Sequence, residues 1–180
     1  MKIAYFDCFA GASGDMILGS LVDAGLPLEV LRGELSKLPL EGYTLAAKSD
    51  KRGPIAGTKV NVSLDDPRAQ QPHRTLNDIY TIIDGGSISS EVSSRGKQVF
   101  QRLAEAEAKV HGVSPEEIHF HEVGAVDAIV DVMGAVLGLQ RLGGGEDLLL
   151  ATPHGRGLRQ HSARPVAYTC PRHPRADRKR

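Results

Sequence analysis

His119-Phe120-His121-Glu122-Val123-Gly124-Ala125-Val126-Asp127, continuing through Ala128-Ile129-Val130 to Asp131, sets two imidazoles and three carboxylates around one glycine. Val126, Ile129, Val130, Val132, Met133, Val136, Leu137 and Leu139 follow at helical spacing on most sides, so the spacing predicts a buried helix over 125–142. Its length and two aspartates exclude a membrane span, and Gly134 and Gly138 leave room for close packing. Just before it, an extended segment would turn residues i and i+2 to one face, so His119 and His121 can converge on one ion while Phe120 packs inward. Glu122 points the other way or turns with the chain at Gly124. Asp127 and Asp131, four apart on a helix, share a face one turn apart. Imidazole suits nickel, zinc, copper and iron, and added carboxylates extend the choice to manganese; the same groups also suit proton transfer near neutral pH. Plainer roles exist for each: Asp127 can complement the helix dipole, and His119 can be a hydrogen-bonded core histidine.

Working outward, the N-terminus carries a second compact pattern. Ile3 to Phe6 reads as a short buried strand, Phe9-Ala10-Gly11-Ala12-Ser13-Gly14-Asp15 as a turn, and Met16, Ile17, Leu18, Leu21 and Val22 as a helix. Backbone amides at such a helix start can cradle a phosphate. The stretch lacks the Gly-Lys-Ser/Thr ending of a P-loop and the dinucleotide spacing, and Ser13 as a cap with Asp15 in the first turn explains it equally. A phosphate beside Asp15 would need a metal ion. Cys8 reads as a small buried apolar residue.

Between these two patterns the chain reads β-α-α-β-β, then helices. Pro27 to Leu38 is a helix with Leu28, Leu31 and Leu35 on one face; Tyr43–Ala47 and Ile55–Leu64 alternate as an antiparallel pair about a turn at Lys51-Arg52-Gly53-Pro54. A polar loop, Asp65 to Gln71, leads to His73-Arg74, a surface pair or an anion contact, and then to a short helix with Leu76, Ile79, Ile82 and Ile83. Ser87 to Ser90 offer caps for a helix over 91–111, whose apolar positions Val92, Val99, Leu103, Ala106 and Val110 fit its period; Gly112 stops it, and Ser114-Pro115-Glu116-Glu117 starts one more turn. The class is α+β: a small mixed sheet with packed helices and a disordered C-terminal tail.

Composition narrows the function. The formal net charge is zero, but from Gly144 onward eight Lys/Arg face three Asp/Glu, leaving 14 against 19 in residues 1–143. An acidic body argues against non-specific nucleic-acid binding. Two cysteines, Cys8 and Cys170, make no disulfide framework, and no stretch reads as a signal peptide or membrane anchor, so a reduced cytoplasmic protein is expected.

Tyr5–Met16 and His119–Asp127, with His73-Arg74-Thr75-Leu76-Asn77-Asp78-Ile79 as a third block, resemble the LarC family, the nickel insertion proteins of nickel-pincer cofactor biosynthesis. The resemblance covers residues 1 to about 142. It implies insertion of Ni2+ into pyridinium-3,5-bisthiocarboxylic acid mononucleotide, forming Ni–S and Ni–C bonds with CTP and Mg2+ or Mn2+, the nucleotide site lying in a C-terminal domain that this chain lacks. On that footing Gly11, Ser13, Gly14 and Asp15 become candidates for the mononucleotide phosphate; His119, His121 and Asp131 for the metal; and Glu122 or Asp127 for removing the ring proton. A nickel carrier without chemistry and a phosphate-binding or scaffold domain are the other classes, and a homo-oligomer is left open.

After Gly143 the character changes to Gly-Gly-Gly and then a run rich in Arg, Pro and His. A solvated basic tail is the ordinary reading. Codons allowed for this run, shifted by one nucleotide, can spell a string like the family's own continuation. The expectation is therefore a domain over 1–143 and an out-of-frame, unstructured 144–180, with His154, His161, Cys170 and His173 playing no ligand role, and a marginal, aggregation-prone product because the 125–142 helix lacks its downstream partners. A cooperative melt of the isolated chain would count against that last point. Genomic DNA sequencing tests the frame: a change near Gly143–Asp147 is expected, and a shifted frame that does not encode that string would refute it.

Overall fold

Described by the structure, a computed structural model, are residues 4–7, 12–52, 55–66, 68, 72–120, 123–143, 148–151 and 167–168. In chain order the elements are β1 (Ala4–Asp7), α1 (Gly14–Asp23), α2 (Leu28–Leu35), β2 (Tyr43–Arg52), β3 (Ile55–Leu64), β4 (Arg74–Thr75), α3 (Leu76–Asp84), α4 (Ser90–His111), a 3-10 turn (Pro115–Glu117), β5 (His119–Phe120), α5 (Val126–Arg141), β6 (Leu148–Ala151) and β7 (Ala167–Tyr168). The class is α+β, as expected. Its parallel and antiparallel ladders lie in separate sheets: β1 runs parallel between β6 and β7, β2 pairs antiparallel with β3, and β4 pairs antiparallel with β5. The remainder of the tail, with its histidines and Cys170, lies outside the described residues, as does Cys8.

The apolar α5 is the central packing element because its apolar residues ring it. It touches α1, α2, α4 and β3, burying Val126, Ile129, Val130, Met133 and Leu137. Its glycines set the spacing to α1: a Cβ at position 138 would come within 2.8 Å of Leu21 Cδ1 and one at 134 within 2.9 Å of Leu18 Cδ2. α1 in turn lies against β3, and a side chain at Gly19 would overlap the Thr58 carbonyl. Leu31 and Leu35 of α2 face this core; that helix ends at Leu35, short of the expected Leu38, with Pro27 as its cap residue. Glu34 joins α2 to the end of α5 by accepting from Arg141 and from Lys37, the latter at 2.9 Å. Burial alone would raise the Glu34 pKa, but these two cations hold it below the ordinary value.

Local signals set most boundaries. Thr75 and Asp78 form a capping box on α3, Ser89 accepts from the Val92 N–H at the start of α4, Gly112 ends α4 with a left-handed φ of 69°, and Ser114 and Glu117 cap the 3-10 turn. Among the described residues no helix is long and apolar enough to cross a membrane.

One expectation fails. The buried face of α4 is Val92, Gly96, Phe100, Ala104 and Ala108, while Val99 and Val110 are 39% and 83% exposed. Two stripes were available on this helix, and the one carrying Gly and Ala lets α5 approach more closely. A Cβ at Gly96 would lie 2.5 Å from the Met133 sulfur. Close packing around Phe100 outweighs the extra methyl groups of the valine stripe. Phe100→Ala should therefore destabilise by about 3–5 kcal/mol, and Val110→Ala by less than about 0.5 kcal/mol. Urea denaturation of both variants checks this, and equal losses would restore the valine face to the core.

Candidate functional site

The two sequence patterns meet where α1 begins. Position 14 has no room for a side chain, since a Cβ there would overlap the Asp131 carboxylate. Glycine at the first residue of α1 is thus what lets the start of that helix reach α5. Ser13 is the extended N-cap residue of α1, yet its hydroxyl caps no backbone amide and instead donates to Asp15 Oδ1. The amides at this helix start therefore receive no cap from the Ser13 side chain.

Among the described residues, the charges that act on Asp131 are both negative. Its Oδ1 is buried and has no hydrogen-bond partner among the described residues. Burial, then the charges of Asp15 and Asp127, push its pKa up to about 6. A buried carboxylate oxygen without a donor needs a proton or a cation. With Asp15 and Asp127 adding negative charge, a cation fits this corner. A bare phosphate fits only if a cation stands between.

Asp127 is exposed in the first turn of α5 and accepts from the Ala128 N–H at 3.0 Å. It meets the helix-start role and still contributes to the field at Asp131. His119 is exposed while its neighbour Phe120 is fully buried, the alternation the extended segment requires. It lies opposite Thr75 in the β4–β5 pair. Its charge acts on Asp78, whose carboxyl is held below the ordinary range first by hydrogen bonds from the Thr75 backbone and side chain, and then by Arg74 and His119. His121, Glu122 and Gly11 lie outside the described residues. Among the described residues no three of His, Cys, Asp and Glu stand together as a metal site. The structure thus brings Gly14, Asp15, Asp127 and Asp131 to one corner and sets His119 beside Thr75 and Asp78.

Sequence reasoning underrated Arg74. It is half-buried in β4, and its Nη1–H donates to the Gly124 carbonyl at the head of α5. The signal was present in the His73–Ile79 block, but no spacing rule ties that block to Gly124.

The start of α1 thus abuts a largely apolar helix that carries two aspartates, a corner suited to a cation. The model of the family described as nickel insertion protein matches residues 4–167, and the chain belongs to that family. It is 49% identical over 168 residues to a provisionally named nickel insertion protein of Citrifermentans bemidjiense, covering 92% of this chain and 43% of that one. A similarly named protein of Syntrophobacter fumaroxidans is 51% identical over 143 residues, covering 79% of this chain and 36% of its own. The pyridinium-3,5-bisthiocarboxylic acid mononucleotide nickel insertion protein of Desulfitobacterium hafniense is 48% identical over 143 residues, covering 79% and 35%. The chain therefore spans about two fifths of the length of these relatives. No solved structure matches.

The Asp131 environment predicts a pH signature. Because its folded pKa lies above the ordinary 3.8, the folded state holds a proton that the unfolded state releases, and ionised Asp131 costs stability that grows from about pH 4 to about pH 6 and is constant above. Asp131→Asn should melt above the wild type at about pH 7.5, with the gap closing toward pH 4. Thermal melts across that range test it, and a gap independent of pH would show that Asp131 is not the strained group.

Proposed function

We propose that this chain forms the metal- and substrate-facing wall of a nickel insertion protein acting on pyridinium-3,5-bisthiocarboxylic acid mononucleotide. The observation that carries the reading is the Asp131 carboxylate packed against Gly14, its Oδ1 buried and without a partner among the described residues, a negative corner where the family's two longest motif blocks meet. His119 and His121 hold or pass Ni2+, and Asp131 receives it at the negative corner. Because His119 sits beside Thr75 rather than in that corner, passing is the role that fits it; carboxylate supplies charge and imidazole the preference for nickel. Gly11, Ser13, Gly14 and Asp15 receive the mononucleotide phosphate, with a cation offsetting Asp15. As a ring carbon becomes bonded to the metal it gives up a proton, and Glu122 or Asp127 accepts it. CTP with Mg2+ or Mn2+ belongs to the part of the relatives beyond this chain's length. The reaction is that of a cytoplasmic lyase-type metal inserter and calls on neither nucleic acid nor membrane.

The reading frame is a separate matter. Codon degeneracy supports a change near Gly143–Asp147, whereas the family match running to residue 167 weighs toward a later position.

Nickel titration of the wild type, of His119→Ala/His121→Ala and of Asp131→Asn tests the assignment, with affinity expected to fall about tenfold or more in each variant. Unchanged affinity in the histidine variant would remove the imidazoles from the site. A maturation assay with nickel and CTP, comparing this chain with a frame-restored one, separates the inserter from a carrier: nickel affinity without cofactor formation by either protein would leave a carrier.

A further inference from the structure

We infer that Arg74 is an oxyanion-recognition residue of the substrate site, taking beside Gly124 the ring carboxylate-type group of a pyridinium mononucleotide or, in place of the start of α1, its phosphate. This rests on the mononucleotide reading above and adds a residue to it.

Among the described residues Arg74 is a largely unspent cation. Arg74 is half-buried, and burial pulls its pKa below the ordinary value, the charge of Asp78 acting the other way. Among the described residues its guanidinium has one hydrogen bond, from Nη1–H to the neutral Gly124 carbonyl, and no ion pair within 4 Å. Asp78, the nearest acid in sequence, is already committed: its Oδ2 accepts from the Thr75 N–H at 2.8 Å and from the Thr75 hydroxyl at 2.7 Å. A guanidinium carries five donors in a planar fork suited to bidentate oxyanion binding, so four remain.

The fork is also fixed in place. Arg74 is paired with Phe120 in the β4–β5 ladder, Phe120 is fully buried, and the bond to Gly124 pins the far end of the side chain. A preorganised cation loses little conformational freedom on binding. Gly124 lies two residues before α5 and Asp131 in its second turn, so this cation and that negative corner are set at the two ends of the first turns of one helix. A ligand with an anionic substituent at one end and a metal-seeking group at the other would satisfy both. The terminal phosphate and the ring carboxylate of a pyridinium mononucleotide are both chemically suited to Arg74.

Binding of three probes by calorimetry separates them: nicotinic acid mononucleotide carries both anions, nicotinamide mononucleotide only the phosphate, and nicotinic acid riboside only the carboxylate. Arg74→Gln should weaken the first about tenfold, the loss of one charge-assisted contact, while leaving nickel affinity within about twofold. A parallel loss with nicotinamide mononucleotide assigns the phosphate, and a loss confined to the carboxylate probes assigns the carboxylate. Wild-type binding that Arg74→Gln leaves unchanged overturns the role of Arg74 alone; no binding of any probe by the wild type overturns the mononucleotide reading with it. Should the variant fail to fold, the Arg74 Nε–H resonance of the wild type decides. It should shift on adding nicotinic acid mononucleotide, and a fixed resonance refutes the assignment.

Discussion

The contact between Gly14 and the Asp131 carboxylate constrains the rest of the molecule. A half-buried carboxylate whose Oδ1 has no partner among the described residues is unfavourable, so the surrounding packing must hold it. That packing is supplied by α5, which is apolar on most sides and meets α1, α2, α4 and β3. Gly134 and Gly138 bring α1 onto it, Gly96 brings α4, and Glu34 ties its far end to α2 through Arg141. The start of α1 is thereby held against an acid that lies far away in sequence.

The segment between β5 and α5 is held at both ends by different means. At its start, Phe120 is buried and paired with Arg74. At its end, the same Arg74 donates to Gly124, and Val126 is buried as α5 begins. One residue of the His73–Ile79 block thus ties β5 to the residues that lead into α5.

Much of this was legible in the sequence, for identifiable reasons. α3 announced itself by its apolar spacing, its Thr75–Asp78 capping box going unread, while Ser89 and Gly112 marked the ends of α4 and Ser114 the 3-10 turn, residues whose side chains or φ angles act locally. The β2–β3 ribbon followed from alternation, with Val60 and Leu45 buried as that period requires. The α4 face was misread because valines at Val99 and Val110 advertise more apolar area than Gly96 and Ala104. The choice between stripes depends on how closely α5 can approach, which belongs to the pair of helices rather than to one. The corner at Asp131 was legible as a chemistry-rich stretch, but its partner Gly14 was not, since no local rule pairs a helix start with a distant acid. Arg74 escaped for the same reason: its target is a backbone carbonyl, and a carbonyl has no signature in sequence.

The charge pattern decides which end of the site takes which ligand. At the start of α1 the helix dipole and the amides that Ser13 leaves uncapped favour an anion, and by themselves they would make the turn a phosphate cradle. Three carboxylates stand against them, one half-buried and raised to about 6, and full charges outweigh the half-charge of a helix end. The corner therefore prefers a cation, and any phosphate there arrives with one. At the other end, Arg74 offers the opposite sign and most of its donors. A mononucleotide lying between them would be oriented by its own charge distribution, metal-seeking groups toward Asp131 and an oxyanion toward Arg74. The same polarity would discourage the reversed pose, because an oxyanion at Asp131 without a bridging ion meets like charge in a desolvated setting.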